Sequence, residues 1–373
     1  MIINCVQYNI ANFFSIFVSM DLEREYFKGR GSQINPNNKF TQNKYLSEFI
    51  EGIDEEVLEN SSTKFYQETP KKIISENKSP DLSFMHSINP YQGCEHGCIY
   101  CYARNSHEYW GFSAGLDFER KIIIKYNAAA LLEEAFNKKS YQAKTILLSG
   151  NTDCYQPIER KLKITRSLLQ IFQHYHHPVS LITKNNLILR DIGILKELAQ
   201  ENLVQVAITI NSLNEELRLK MEPRTVTAKG RLKVIENLSK AGIPVMLMCA
   251  PVIPGLNSDE IPQLIKSAAE CGAKSASFTM VRLNGAIGDI FVDWINKNYP
   301  DRAEKVLHAI AESHGGKLND SQWSRRMRGS GVIAESIHSL FRISKKRYMG
   351  DCSMPILRND LFTPKNGKQL ELF

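Results

Sequence analysis

Residues 89–104 read NPYQGCEHGCIYCYAR and place Cys94, Cys98 and Cys101 in a C-x₃-C-x₂-C array. Three thiolates on a tight loop are enough to bind three irons of a 4Fe-4S cluster and leave the fourth iron open, whereas electron-transfer clusters use four cysteines. Zinc is the main competitor, but a structural zinc site takes a fourth ligand. The spacing therefore favours an open cluster over zinc, a dithiol redox pair or a structural role.

Short apolar runs alternate with amphipathic segments after the cysteine array. The runs are typical of buried parallel strands, and they are TILLSG (145–150), VSLIT (179–183), VQVAITI (204–210), VMLMCAPVI (245–253) and SASFTMV (275–281). A first strand is predicted in the segment that ends at Tyr91. RSLLQIFQHY, GRLKVIENLSKAG and IPQLIKSAAECG repeat apolar residues at helical spacing. Six strands separated by helices predict an α/β fold, a partial (βα)6 TIM-like barrel with its chemistry at the carboxyl ends of the strands.

The composition is that of a globular protein, with 373 residues, 43% of them hydrophobic, and a net charge of +7. Eight cysteines over this length, three of them crowded, differ from a secreted disulfide framework, so we expect a cytoplasmic protein with no membrane partner. Residues 1–19 carry no charge and lack a signal-peptide pattern. We interpret them as an upstream extension before a start at Met20, with an N-terminal anchor as the alternative.

Composition also divides the remaining chain into four parts. Residues 20–84 are polar and rich in turn formers, which predicts an irregular N-terminal arm. The partial barrel is expected over 85–290, a helical and basic extension over 291–350, and a tail over 351–373.

Four segments together resemble one enzyme superfamily: NPYQGCEHGCIYCYAR (89–104), NTDCYQPIER (151–160), MEPR (221–224) and APVIPGLN (250–257). They are similar to radical S-adenosylmethionine (SAM) enzymes and, among these, to the subfamily related to spore photoproduct lyase, often labelled DNA repair photolyase-like. The resemblance implies that a 4Fe-4S cluster binds the methionine part of SAM. One electron, from a donor such as flavodoxin or ferredoxin, would cleave SAM to methionine and a 5′-deoxyadenosyl radical that abstracts a substrate hydrogen.

The resemblance also implies roles for individual residues. Cys94, Cys98 and Cys101 would ligate the cluster. Tyr100 would pack near the adenine. Lys184, at the end of the third barrel strand, stands where relatives of the lyase place a lysine on the SAM carboxylate; a solvated loop lysine is the alternative.

Further cofactor contacts are expected from the loops after the second and fourth strands. Ser149, Thr152 and Asp153 occupy the place of the superfamily's Gly-Gly-Glu-like motif for the methionine amino group, from which this sequence departs. Asp153 would otherwise cap the turn. Ser212 is the ribose candidate, and its alternative role is to cap the next helix.

The fifth-strand motif implies an adenine contact for Val252, Ile253 and Gly255, although Gly255 would also serve a simple turn. Cys154 stands at the mouth of the second strand, where a hydrogen-donating thiol would act as in the lyase. Most lone cysteines are instead small buried hydrophobes. Glu222, in MEPR, is expected to form a structural ion pair with Arg224 of the same motif.

Two features outside the barrel suggest macromolecular partners. Residues 317–347 hold eight Lys or Arg against two acidic residues, interleaved with aromatics such as Trp323, which suits nucleic-acid binding. The alternative is a solvated helical face. The terminus Gln369–Phe373, QLELF, resembles the tail by which bacterial replication and repair proteins dock to the sliding clamp; a terminus packed on the domain is the alternative.

The sequence therefore supports a radical SAM enzyme with three functional hypotheses. The first is a lyase-like repair activity on damaged DNA or other nucleic acid. The second is radical modification of a peptide or small metabolite. The third is a non-catalytic iron–sulfur or zinc protein.

Overall fold

The computed structural model describes residues 27–40, 62–82 and 85–364. The expected upstream extension (1–19), the start at Met20 and the clamp-docking terminus Gln369–Phe373 lie outside these residues and remain predictions.

The described residues form ten strands in two sheets. They are β1 (Lys64–Glu68), β2 (Ile74–Glu76), β3 (His86–Ile88), β4 (Tyr91–Gln92), β5 (Lys121–Lys125), β6 (Ile146–Leu148), β7 (Val179–Thr183), β8 (Val204–Thr209), β9 (Val245–Val252) and β10 (Ser275–Met280). The larger sheet has the order β10-β9-β8-β7-β6-β3-β2. Its six strands from β10 to β3 are parallel, and β2 is antiparallel at the edge.

The helices alternate with these strands and then continue beyond the sheet. They are α1 (Leu116–Arg120), α2 (Ala128–Phe136), α3 (Glu159–Leu162), α4 (Ile164–His174), α5 (Ile192–Gln200), α6 (Glu215–Met221), α7 (Ala228–Lys240), α8 (Ile261–Glu270), α9 (Ile287–Asn298), α10 (Pro300–Ser313) and α11 (Gly331–Met349). Single 3₁₀ segments span Tyr102–Trp110, Asn186–Asp191 and Ser258–Glu260. The predicted partial (βα)6 barrel is confirmed.

The predicted first strand is divided between the two sheets. Only β3 belongs to the barrel, and β4 leaves it to pair antiparallel with β5. The smaller sheet has the order β1-β5-β4. The segment ending at Tyr91 therefore turns away from the barrel just before the cysteine loop begins.

The arm is more regular than its composition predicts. Its strand β1 pairs in parallel with β5, and β2 pairs antiparallel with β3. Four of the five residues of β1 are exposed, so this strand lacks the alternation of apolar and polar residues that identifies a half-buried strand. Strand β1 therefore forms because it pairs with the distant β5, and its own sequence has no local pattern that predicts a strand.

The helices after the barrel support the cysteine loop from one side. Phe291 and Trp294 of α9 and Ile310 of α10 share one buried apolar cluster with Ile99 and Tyr100. The extension is therefore part of the packing around the candidate site rather than a separate appendage. No helix in the described ranges has the length and apolar character needed to cross a membrane.

Candidate metal and cofactor site

The three cysteines of the array lie on one loop at the carboxyl end of the barrel. Cys94, Cys98 and Cys101 are free thiols; the first two are buried and the third is half-buried. Burial raises the pKa of each thiol, and that of Cys94 is raised further by Asp153 and by the other two cysteines. The three thiols are thus close enough to interact electrostatically.

The three cysteines are not arranged as a site for a single metal ion in the described part of the chain. Within residues 27–40, 62–82 and 85–364, no three His, Cys, Asp or Glu side chains converge closely enough to hold one metal ion. A cubane cluster binds each cysteine through a different iron, so its ligands stand further apart than those of zinc. Desolvated thiols near the cations Lys184 and Arg104 suit a group that binds them as thiolates.

Neither nearby histidine is placed as a further metal ligand. The ring nitrogens of His96 face Asp153 at 3.4 Å and Asn185 at 3.2 Å. His107 is buried against the rings of Phe112 and Phe118, with centroids 5.2 and 5.6 Å away. A three-cysteine donor set is therefore what the loop offers.

A buried ion pair fixes the backbone of the loop. Arg104 donates from Nε to the carbonyl of Cys98 at 2.8 Å and pairs with Glu119 at 2.5 Å. The other lone pairs of Glu119 accept the backbone N–H groups of Gly31 and Ser32 at 3.0 and 2.8 Å. This support was not predicted; its trace in the sequence is the short GRGS stretch at residues 29–32 of the arm.

Tyr100 anchors a polar network under the loop. Its hydroxyl donates to Glu222 and accepts from Asn211 Nδ2 at 3.1 Å. Glu222 also pairs with Arg231, and both side chains are almost fully buried. Burial works to raise the pKa of Glu222, but Arg231 and Lys184 outweigh it and lower that pKa.

The expected ion pair within MEPR is therefore wrong. Arg224 instead stands 3.9 Å from Glu95, inside the cysteine loop, while Glu222 takes Arg231 from helix α7 as its partner. Sequence proximity favoured Arg224, but the carboxylate is directed toward helix α7, where Arg231 forms the ion pair.

Lys184 lies where the resemblance placed it, at the end of β7 beside the cysteine loop. Its Nζ is 5.9 Å from the centre of the Tyr100 ring and has no hydrogen-bond partner among the described residues. Burial opposes its charge, yet the Cys98 thiol and Glu222 outweigh this effect and raise the pKa of Lys184. The side chain therefore stays a cation facing the site, which argues against a solvated loop lysine.

The loop after β6 uses its polar side chains internally. The Ser149 hydroxyl donates to the Thr152 carbonyl at 2.6 Å, and the Thr152 hydroxyl donates to the carbonyl of Tyr91 at 2.5 Å. Asp153 accepts from the Thr183 hydroxyl and from the backbone N–H of Lys184, both at 2.8 Å. These contacts favour the turn-capping role of Asp153, and methionine contacts from this loop remain a prediction.

Asn211, rather than Ser212, presents an unused polar atom after β8. The Ser212 hydroxyl donates to Glu260 at 2.6 Å, and the cap of α6 is Asn214, which accepts from Leu217 at 3.1 Å. Asn211 is 2% exposed and its Oδ1 has no partner in the described part of the chain. A buried acceptor without a donor suits a bound ligand that supplies one.

Two of the three candidates for the adenine contact, at the end of β9 and just after it, are buried. Val252 and Ile253 are buried, and the Ile253 backbone N–H donates to Asn257 Oδ1 at 2.7 Å. Gly255 is exposed with a φ of 73°, and its carbonyl accepts from Arg302 at 2.9 Å. Gly255 therefore fits the turn role, while Val252 and Ile253 remain candidates for the adenine contact.

Cys154 is part of the main apolar core. It has no exposed surface, and burial raises the pKa of its thiol well above the usual value. In this conformation the thiol has no access to a substrate, which supports the small-hydrophobe alternative over hydrogen donation.

The fold and the site together define a class: a partial (βα)6 barrel with three free thiols on its first upper loop and, beside them, a lysine that has no hydrogen-bond partner among the described residues. A model of the "Radical SAM superfamily" matches residues 88–268. The uncharacterized protein Rv2578c of Mycobacterium tuberculosis is 33% identical over 230 residues, which are 60% of this chain and 68% of that protein. The chain belongs to the radical SAM superfamily, and it is an enzyme.

Two further comparisons extend this result. The uncharacterized protein MJ0683 of Methanocaldococcus jannaschii is 27% identical over 252 residues, which are 68% of this chain and 90% of that protein. The structure of spore photoproduct lyase complexed with dinucleoside spore photoproduct superposes with a TM-score of 0.55 at 17% identity, covering 77% of this chain and 80% of the lyase. The lyase thus shares the fold. Superfamily membership implies SAM and an iron–sulfur cluster as cofactors and removes the non-catalytic hypothesis.

Proposed function

We propose that this enzyme binds a 4Fe-4S cluster through Cys94, Cys98 and Cys101 and uses SAM to act on damaged nucleic acid. When bound, the cluster and SAM would supply a 5′-deoxyadenosyl radical by one-electron cleavage of the sulfonium. The observation that carries the proposal is the set of three free, desolvated thiols beside Lys184, a cation with no hydrogen-bond partner in the part of the chain that the structure describes. Spore photoproduct lyase, whose fold this chain shares, supports the substrate class.

The protein's own residues supply binding, orientation and exclusion of water. Lys184 offers a fixed positive charge for a carboxylate, and Asn211 Oδ1 offers an acceptor for an N–H or O–H donor. The Tyr100 ring lies 5.9 Å from Lys184 Nζ, and its hydroxyl is held by Glu222 and Asn211. Because the network is buried and paired, it is organised before the ligand arrives.

The first test is anaerobic reconstitution followed by reduction with dithionite in the presence of SAM. We expect 5′-deoxyadenosine, detected by liquid chromatography and mass spectrometry, from the wild type and from Cys352→Ala. Cys352 is exposed and far in sequence from the loop, so this variant is the matched control. Cys98→Ala should lose iron and form no product. Normal product from Cys98→Ala would refute the assigned cluster ligands.

The second test addresses the substrate class. Ultraviolet-irradiated and unirradiated DNA are incubated with the reduced enzyme, and the nucleosides are analysed after digestion. Loss of a photoproduct in the irradiated sample alone supports the proposal. Product formation from SAM with unchanged DNA in both samples would instead favour the peptide or metabolite hypothesis.

A further inference from the structure

A groove of about 790 Å³ lies between the 323–330 loop and one face of α11. Its floor is aromatic: the Phe278 ring of β10 contacts the rings of His338 and Phe341, with centroids 4.9 and 4.5 Å apart. Trp323 lines the rim and is 54% exposed. The volume is in the range of ligand-binding clefts, ~300–1,000 Å³.

The groove carries cations that the protein does not neutralise. Arg325 is paired with Asp320. The guanidinium groups of Arg328 and Arg342 have no hydrogen-bond or carboxylate partner among the described residues. Glu335 is the acidic residue in the lining. Two unpaired arginines beside aromatic rings suit an anion that also has flat apolar faces.

The dimensions of the groove favour a strand over a compact anion. The lining on α11 runs from Ala334 to Arg342, which spans ~12 Å at ~1.5 Å per residue. A stacked nucleic-acid strand rises ~3.4 Å per nucleotide, so this part of the groove would follow about three to four nucleotides. One face of Trp323 is covered by Arg326, with the guanidinium 4.0 Å from the ring centre. The exposed part of the ring is left for a base.

One wall of the groove adjoins the carboxyl end of the barrel. Met280 is the last residue of β10, and its backbone N–H donates to the carbonyl of Met327 at 3.0 Å. The loop that forms one wall therefore adjoins the carboxyl ends of the strands, where the cysteine loop lies. A strand that crosses the mouth of the barrel can continue into the groove.

We propose that this groove binds the sugar–phosphate backbone of a single nucleic-acid strand through Arg328 and Arg342, with a base stacked on Trp323. The inference rests on the proposed nucleic-acid substrate and assigns the surface that holds the segment flanking the reacting nucleotide.

The test measures binding of a fluorescein-labelled single-stranded DNA to the reconstituted full-length enzyme by fluorescence anisotropy over a series of salt concentrations. Each phosphate contact to a single strand contributes ~0.7 to the slope of log K against log salt concentration. The Arg328→Ala/Arg342→Ala variant should therefore lower the slope by about 1.4. Lys346→Ala/Arg347→Ala removes the same charge from exposed sites on the same helix outside the groove. This control should keep the wild-type slope.

Trp323→Ala should bind about tenfold more weakly at an unchanged salt slope, because stacking is not electrostatic. An RNA of the same sequence is measured alongside, and both strands should lose affinity in the groove variants. Identical effects of the two double variants would overturn the assignment of the groove.

Turnover of irradiated DNA by the wild type separates the two proposals. If the wild type repairs DNA but the groove and control variants bind alike, the groove assignment fails and the proposed function stands. If the wild type neither binds nor alters DNA, the nucleic-acid function fails and the groove proposal fails with it.

Discussion

At the residue scale, the site is defined by polar atoms that have no partner within the described ranges of the chain. Lys184 Nζ and Asn211 Oδ1 flank Tyr100, whereas Ser149, Thr152, Asp153 and Ser212 are all engaged by neighbouring backbone or side chains. Side chains that are already paired must break a contact before they bind a ligand. Lys184 and Asn211 are therefore the stronger candidates for contacts with a bound ligand.

Lys184→Met tests this view. The variant keeps an unbranched side chain, one atom shorter, but removes the cation, so SAM should bind less tightly by about 2 kcal/mol, or about thirtyfold in Kd. The measurement is equilibrium dialysis under anaerobic conditions. Lys274→Met, at an exposed site before β10 on the opposite end of the barrel, is the control and should bind normally. Equal affinity of the two variants would contradict the role of Lys184.

The residue assignments show what the sequence predicts well and what it does not. The spacing of the cysteines and the position of Lys184 after an apolar run are local features, and both are visible in the sequence. Whether Asn211 or its neighbour Ser212 has a free atom depends on Glu260, which approaches from a different loop. Such hydrogen bonds are formed by tertiary contacts. The motif alone therefore pointed to Ser212, whose hydroxyl is already bonded to Glu260.

At the element scale, the arm functions as a brace for the cysteine loop. A Cβ on Gly31 would lie 1.7 Å from the carbonyl oxygen of Gly97, between Cys94 and Cys98. The backbone N–H of Gly31 also donates to Glu119, whose carboxylate holds Arg104 on the loop. The arm segment and the loop are thus packed backbone to backbone, and only glycine fits at this contact.

Gly31→Ala should separate the arm from the loop, because a backbone carbonyl cannot move aside as a side chain does. We expect a loss of stability on the order of 1–3 kcal/mol, as for other overpacked sites, and a lower iron content per protein after reconstitution. Thermal unfolding and iron analysis measure the two effects. Gly193→Ala, in helix α5 with open space around the added Cβ, is the control. Wild-type iron content in Gly31→Ala would contradict the brace.

Elements differ in how well the sequence predicts them. Strands β6 to β10 are apolar runs because parallel strands are covered on both faces, and each was predicted. The small sheet was missed, since β1 is exposed and forms only by pairing with β5, more than fifty residues away. The KIIIK run of β5 carried an apolar signal, but nothing in the local sequence identified its partner.

At the scale of the whole molecule, the 318–328 segment connects the two edges of the incomplete barrel. On one side, the carbonyls of Leu318 and Met327 accept from Leu283 and Met280 beside β10. On the other side, Arg326 pairs with Asp81, in the connection between β2 and β3. The barrel has six parallel strands rather than eight, so its first and last strands do not pair. The segment bridges this gap with side-chain and loop contacts.

Asp81 is the group on which this bridge depends. It accepts the backbone N–H of Ser324 at 2.6 Å and the Arg326 guanidinium at 2.5 Å. The hydrogen bond from Ser324, followed by the contact with Arg326, lowers the pKa of Asp81. A carboxyl group with a lowered pKa in the folded state stabilises the fold above its unfolded pKa, ~3.9, and loses this effect as the pH falls through the folded value. The bridge should therefore persist from neutral pH to about pH 4 and loosen below it.

Asp81→Asn should release the bridge at neutral pH, because the neutral amide cannot form the ion pair with Arg326. Hydrogen–deuterium exchange with mass spectrometry should show faster exchange in peptides covering 318–328 and unchanged exchange in β8. Asp360→Asn is the matched control, since Asp360 pairs only with nearby Arg358 among the described residues. Slow exchange of 318–328 in Asp81→Asn, equal to that of the control, would show that the backbone contacts to β10 alone hold the segment. The same segment forms a wall of the groove beside α11, so its release should also weaken DNA binding, whereas the Asp360 variant should bind as the wild type does.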